Sequence, residues 1–249
     1  MKRVNHKKFL AWSVSILLVL ALTVGGCAMY VLDDYRADLD AIEAFSAGSQ
    51  VTRTAIPGVG HAYGESDARA GFIFYPGGKV EYAAYEPLMR EVASRGVLCV
   101  LVEMPLNLAV LDMNAADGIC ERYPGIEHWY IGGHSLGGSM AAYYVEKHGE
   151  AFDGIVFLGS YSSADLSELS VAALSVFGSE DRVMNREKYD KYKSNLPAGF
   201  TEIEMEGGCH AYFGMYSEQD GDGVPTLSAE EQIRVSAEHI SKFILGGES

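Results

Sequence analysis

The sequence predicts an α/β domain in which a mostly parallel central sheet carries helices on both faces. Three observations predict it. At 249 residues, 48% of them hydrophobic, the chain can bury one substantial core and is too short for two large ones. Several short runs are apolar almost without interruption, as strands buried on both sheet faces must be. Amphipathic stretches alternate with these runs, the pattern of a parallel sheet covered by helices.

The elements follow in order. Phe9 to Leu32 is an uncharged run of 24 residues, long enough to span a bilayer as a helix. Lys2, Arg3, Lys7 and Lys8 precede it and Asp33 and Asp34 follow, so the bias of cations toward cytoplasmic flanks places the rest of the chain outside. Residues 1–32 are therefore expected to be a transmembrane anchor, with a cleaved signal segment as the alternative. TVGGC offers a third route, because it resembles a bacterial lipobox that would lipidate Cys27. Residues 33–50 read as a short helical connector through Leu39, Ile42, Ala44 and Phe45, and residues 51–249 as the folded domain.

Within that domain the expected strands are 71–76, 97–105, 128–133, 154–160, 172–179 and 200–206. The expected helices are 81–96, 115–125, 139–149, 185–197 and 228–247, with C-caps at Gly96 and Gly149 and a capping box from Ser228 to Glu231. Acids outnumber bases 34 to 19, and four of those bases lie in the leader, so phosphate backbones would be repelled and nucleic acid is excluded as a partner. No Cys or His spacing suggests a metal, and neither metal nor cofactor is expected. Cys99 reads as a small buried side chain, and the pairing of Cys99, Cys120 and Cys209 is left open.

The chemistry centres on GGHSLGG (132–138), which lies between a strand and a helix and so places Ser135 on a tight elbow. Gly133 and Gly137 complete a G-x-S-x-G pattern, in which small flanks avoid collision with the adjoining strand and helix. The following helix aims its free N–H groups at the serine. A nucleophilic serine needs a base, and the base needs a group to hold its tautomer. Asp181 in FGSEDRV and His210 in GGCHAYFG each follow a later strand, in the chain order that this elbow architecture uses.

These motifs, with FYPGGKV and NAAD, make residues 70 to 245 resemble the α/β-hydrolase superfamily, and within it small exported serine hydrolases of the dienelactone-hydrolase-like type. The resemblance implies an α/β-hydrolase fold with Ser135, Asp181 and His210 as the catalytic trio. It also implies an oxyanion hole built from the backbone N–H groups of Leu136 and Gly78, where Pro76 stands in the position of a frequent family histidine. Dienelactone hydrolase itself uses cysteine at the elbow, so lactone specificity does not carry over to Ser135. The family spacing favours Asp181 over its neighbour Glu180. Cys209 stands where relatives often have Asn and reads as a small side chain in the pocket wall. His61, His128, His148 and His239 read as surface or core residues without an inferred acid partner, and His134 as pointing elsewhere on the elbow.

Between the strands at 154–160 and 172–179 the chain is too short for a cap domain, so the cleft should be open, with Gly77 and Leu106 expected in its wall. Acidic EQDGDGVP (218–225) invites a calcium reading through Asp220 and Asp222, but lacks the later bidentate glutamate of an EF-hand and reads as an ordinary turn. The expected activity is hydrolysis of carboxylic esters or thioesters with small or pendant acyl groups, through an acyl-enzyme on Ser135. An acyltransferase acting on a cell-envelope acceptor and a non-catalytic tethered binding domain remain as alternatives. Expected partners are a small ester substrate and, through the N-terminal helix, the membrane; the oligomeric state is open.

Overall fold

The computed structural model describes residues 6–246 and divides into two units, residues 1–34 and 35–249. The first contains helix α1 (His6–Leu32). Among the described residues no helix is long and apolar enough to cross a membrane, so the expected transmembrane segment finds no support in the structure.

The second unit opens with α2 (Leu39–Ser46), whose first turn is capped by Asp38 accepting from the N–H of Ala41 at 3.0 Å. Eight strands follow: β1 (Arg53–Ile56), β2 (Gly60–Tyr63), β3 (Ala70–Tyr75), β4 (Val97–Val102), β5 (His128–His134), β6 (Gly154–Leu158), β7 (Ala172–Gly178) and β8 (Thr201–Met205). They form one sheet in the order β1-β2-β4-β3-β5-β6-β7-β8. The hairpin β1–β2 is antiparallel and joins β4 antiparallel, while every other pairing is parallel.

Four helices complete the unit: α3 (Glu86–Ala93), α4 (Leu136–His148), α5 (Arg186–Tyr192) and α6 (Ala229–Ile244). Side-chain alternation divides the apolar residues into two layers. Phe72, Phe74, Cys99, Leu101, Val156 and Val176 face α3 and α6 in one core. Ile73, Tyr75, Val100, Ile131, Ile155 and Phe157 face α4 in the other. Burial on both sides is why these strands read as continuous apolar runs.

All six strands expected from the sequence are present, and the β1–β2 hairpin adds two more. The expected helix 115–125 is absent; turns replace it, with a single 3-10 turn at Cys120–Arg122. The Tyr75 hydroxyl captures the N–H of Ala116 at 2.8 Å, and Gly118 takes a left-handed φ of 71°, so the helical ladder cannot run through. Gly96 takes the expected left-handed turn at φ 93°, whereas Gly149 stays right-handed at φ −58° and leads into a further 3-10 turn. No helix lies between β6 and β7, in keeping with the absence of a cap domain.

At the start of α6 the capping box is complete: Ser228 Oγ accepts from the N–H of Glu231 at 3.2 Å, and the Glu231 carboxylate accepts from the N–H of Ser228 at 2.9 Å. Ser228→Ala should lower the urea unfolding free energy by about 1 kcal/mol without changing the slope of the transition.

Candidate active site

Ser135 lies at the carboxyl end of β5, between the last strand residue and the first residue of α4. Its backbone sits at φ 51° and ψ −120°, a conformation that costs a non-glycine residue about 1–3 kcal/mol. The surroundings enforce it. Its N–H donates to Leu158 O at 2.9 Å, and its carbonyl accepts from Ser160 Oγ at 2.6 Å and from the N–H of Ser139 at 3.2 Å. A methyl group on Gly137 would stand 2.2 Å from Tyr75 O and 2.3 Å from Pro76 O, so only glycine lets α4 come this close to β3.

Asp181 follows β7 and His210 follows β8, so both loops open at the same sheet edge as Ser135. Asp181 Oδ2 meets His210 Nδ1 at 2.8 Å, with both side chains essentially shut off from solvent. Asp181 Oδ1 accepts from the N–H groups of Val183 at 3.0 Å and Met184 at 2.8 Å. With Oδ1 taken up by these two backbone donors, Oδ2 accepts from His210 Nδ1–H, which turns Nε2 of the ring away from Asp181. Nε2 is buried and has no hydrogen-bond partner, so its bond to Ser135 Oγ is not formed in this structure; such bonds often close only when substrate is present.

His134 is not the uninvolved side chain that the sequence suggests. Its ring packs 4.4 Å from the His210 ring, centroid to centroid, and its Nδ1 lies 2.7 Å from the Tyr85 hydroxyl. That hydroxyl also accepts from the N–H of Gly77 at 3.1 Å, so Tyr85 links the His134 ring to the loop after β3. Burial, and secondarily the neighbouring His210, hold the His134 pKa well below the usual 6.5, so the ring stays neutral.

The expected oxyanion donors sit together. The Leu136 side chain packs on Gly78, where an added methyl group would stand 2.9 Å from Cδ2, and neither backbone N–H has an acceptor among the described residues. Gly77 and Leu106 are placed differently from expectation. The cleft beside Ser135, of about 240 Å³, is walled by Leu136, Tyr161, Val183 and Met184 with Ser139 and Asn185, and includes neither of them. The N–H of Gly77 is spent on Tyr85, and Leu106 projects outward at 62% exposure with a left-handed φ of 52°. A larger hollow of about 570 Å³ between α2 and α3 contains none of the three reactive side chains.

The other rivals are accounted for. Glu180 points to the surface near Arg182 at 3.4 Å. His128 has an acid partner after all, Asp153 at 3.2 Å, but at the exposed amino end of β5. His61 stacks on Tyr82 and His148 on Tyr144. Cys99, Cys120 and Cys209 are free thiols, and burial pushes the Cys209 thiol up to about 12, which makes it a poor nucleophile.

Residues 71–234, well over half of the chain, match the model of the alpha/beta hydrolase family. The chain belongs to the alpha/beta hydrolase family. Among solved structures this hydrolase is similar to a predicted CIB-like hydrolase from Thermoplasma acidophilum, at 16% identity and a TM-score of 0.54, covering 78% of this chain and 98% of that one. It is also similar to a membrane phospholipase A described as a bacterial virulence factor, at 12% identity and a TM-score of 0.58, covering 98% and 99% of the two chains. At these identities the likeness is one of fold. No curated protein matches the chain.

The neutrality of His134 has a consequence for this hydrolase. Below pH 6.5 the unfolded chain takes up a proton at this position that the folded chain refuses, so the contribution is fully present above 6.5 and lost as pH falls. Urea unfolding between about pH 7.5 and 5 should show a shallower loss of stability for His134→Gln than for the parent.

Proposed function

We propose that the protein is a serine hydrolase that cleaves carboxylic esters, and thioesters of similar size, through an acyl-enzyme on Ser135. One observation carries this reading: a buried imidazole, fixed by Asp181 at 2.8 Å and with its other nitrogen unpartnered, opens at the same sheet edge as a serine held in strained backbone.

Ser135 Oγ attacks the acyl carbon while His210 Nε2 takes its proton. Asp181 stabilises the resulting imidazolium through Nδ1–H. The carbonyl oxygen, now an anion, receives the N–H groups of Leu136 and Gly78. Collapse expels the alcohol or thiol, which takes the proton back from Nε2. Water, deprotonated by the same nitrogen, then releases the acid and frees Ser135.

The small, open cleft supports short acyl groups, or an ester pendant on a larger molecule, as substrates. The named activity of the membrane phospholipase A neighbour lends support to an ester bond rather than an amide. For location, the four leader cations and the uncharged run behind them support a domain held outside the cytoplasm, by that segment or by a lipidated Cys27, or else secreted after cleavage.

Ser135→Ala should reduce kcat for p-nitrophenyl acetate by at least roughly 10³-fold, and Asp181→Asn should reduce it by roughly 10³ to 10⁴-fold. Persistence of turnover in Ser135→Ala would contradict the reading. The open cleft further predicts that p-nitrophenyl butyrate is turned over faster than the palmitate when both are presented in the same detergent.

A further inference from the structure

The acidic loop at residues 218–225 has a use that its sequence does not announce. Asp222 Oδ2 accepts from the N–H of Ala211 at 2.8 Å, and Oδ1 accepts from the N–H groups of Arg182 at 3.3 Å and Gly223 at 2.9 Å. Ala211 is the residue after His210, and Arg182 is the residue after Asp181. One carboxylate therefore spans the two loops that carry the acid and the base.

We propose that Asp222 is a positioning residue, which sets the separation of Asp181 and His210 by tying their loops together through the adjoining backbone. The inference rests on reading Ser135, Asp181 and His210 as the reacting groups.

Two further contacts point the same way. Gly223 lies so close to the Asp181 loop that a methyl group there would stand 2.0 Å from Glu180 O and 3.1 Å from Arg182 Cγ, so the loop is seated against its target along its backbone as well as through Asp222. From the opposite side, Gln232 of α6, fully buried, donates from Nε2 to Cys209 O at 2.7 Å and accepts at Oε1 from the N–H of Cys209 at 2.9 Å. His210 is thus held by the residue before it and by the residue after it. Both Asp222 oxygens are occupied by backbone donors.

The leverage is geometric. Ala211 is buried, so without Asp222 its N–H must find another acceptor by shifting the His210 loop. Displacement of a catalytic group by about 1 Å can cost about 100-fold in rate. Binding of substrate in the cleft beside Ser135 uses other residues and should be little affected.

The test compares the full-length parent with Asp222→Ala, Asp222→Asn and Gly223→Ala on p-nitrophenyl acetate, with Ser135→Ala as the reference for the trio. The downfield proton NMR signal of His210 Nδ1–H, identified by its loss in Asp181→Asn, is followed in parallel. Asp222→Ala and Gly223→Ala should each lower kcat about 10 to 100-fold with KM within about twofold, and both should broaden the signal. Asp222→Asn, which keeps one acceptor oxygen, should fall between. An unchanged signal with unchanged kcat in Asp222→Asn and Gly223→Ala would overturn the proposal, including where Asp222→Ala fails to fold. Activity that survives in Ser135→Ala would instead strike the trio, while the signal still reports whether Asp222 fixes the Asp181–His210 bond.

Discussion

A serine at φ 51° and ψ −120° does not hold itself there; it is held by the close approach of β5, α4 and the end of β3. The strain of about 1–3 kcal/mol is offset by three backbone hydrogen bonds and by helix packing that glycine alone permits at Gly137. The rest of the site depends on this contact. It sets Ser135 at the carboxyl end of β5, and it starts α4 immediately afterwards at Leu136. It also brings the Leu136 side chain against Gly78, a residue from a distant part of the chain. Relaxing the elbow would undo all three together.

Electrostatics then divides the labour among buried polar groups. Asp181 accepts from the N–H groups of Val183 and Met184 and from His210 Nδ1, and this last bond sets the orientation of the His210 ring. His134, only 4.4 Å away ring to ring, is kept neutral by burial and secondarily by the neighbouring His210. A positive charge on His134 would oppose one on His210 at this distance.

Much of this could be read from the sequence, for physical reasons that also explain the failures. Most of the six strands are legible because both faces are buried and their side chains are apolar, as in AGFIFY of β3, whereas β8 is largely exposed and carries two glutamates. The β1–β2 hairpin is not, because β1 at the sheet edge is largely exposed and each strand has four residues, too few for a pattern. Residues 115–125 mimic a helix until the Tyr75 hydroxyl intercepts Ala116. Ser135, Asp181 and His210 are legible because each follows a strand in a recognisable turn. Tyr85, Asp222 and Gln232 are not, since their partners lie 49, 11 and 23 positions away and no local spacing encodes such contacts. In the leader the apolar run is plain to read, but no membrane-crossing helix appears among the described residues.

The account turns on Ser135 being made nucleophilic by His210, and chemical capture tests that most directly. Treatment with a fluorophosphonate followed by peptide mass spectrometry should place a single adduct on the peptide containing Ser135, and His210→Gln should slow its formation by at least about 100-fold. An adduct on another residue, or labelling of Ser135 at the same rate without His210, would contradict the account.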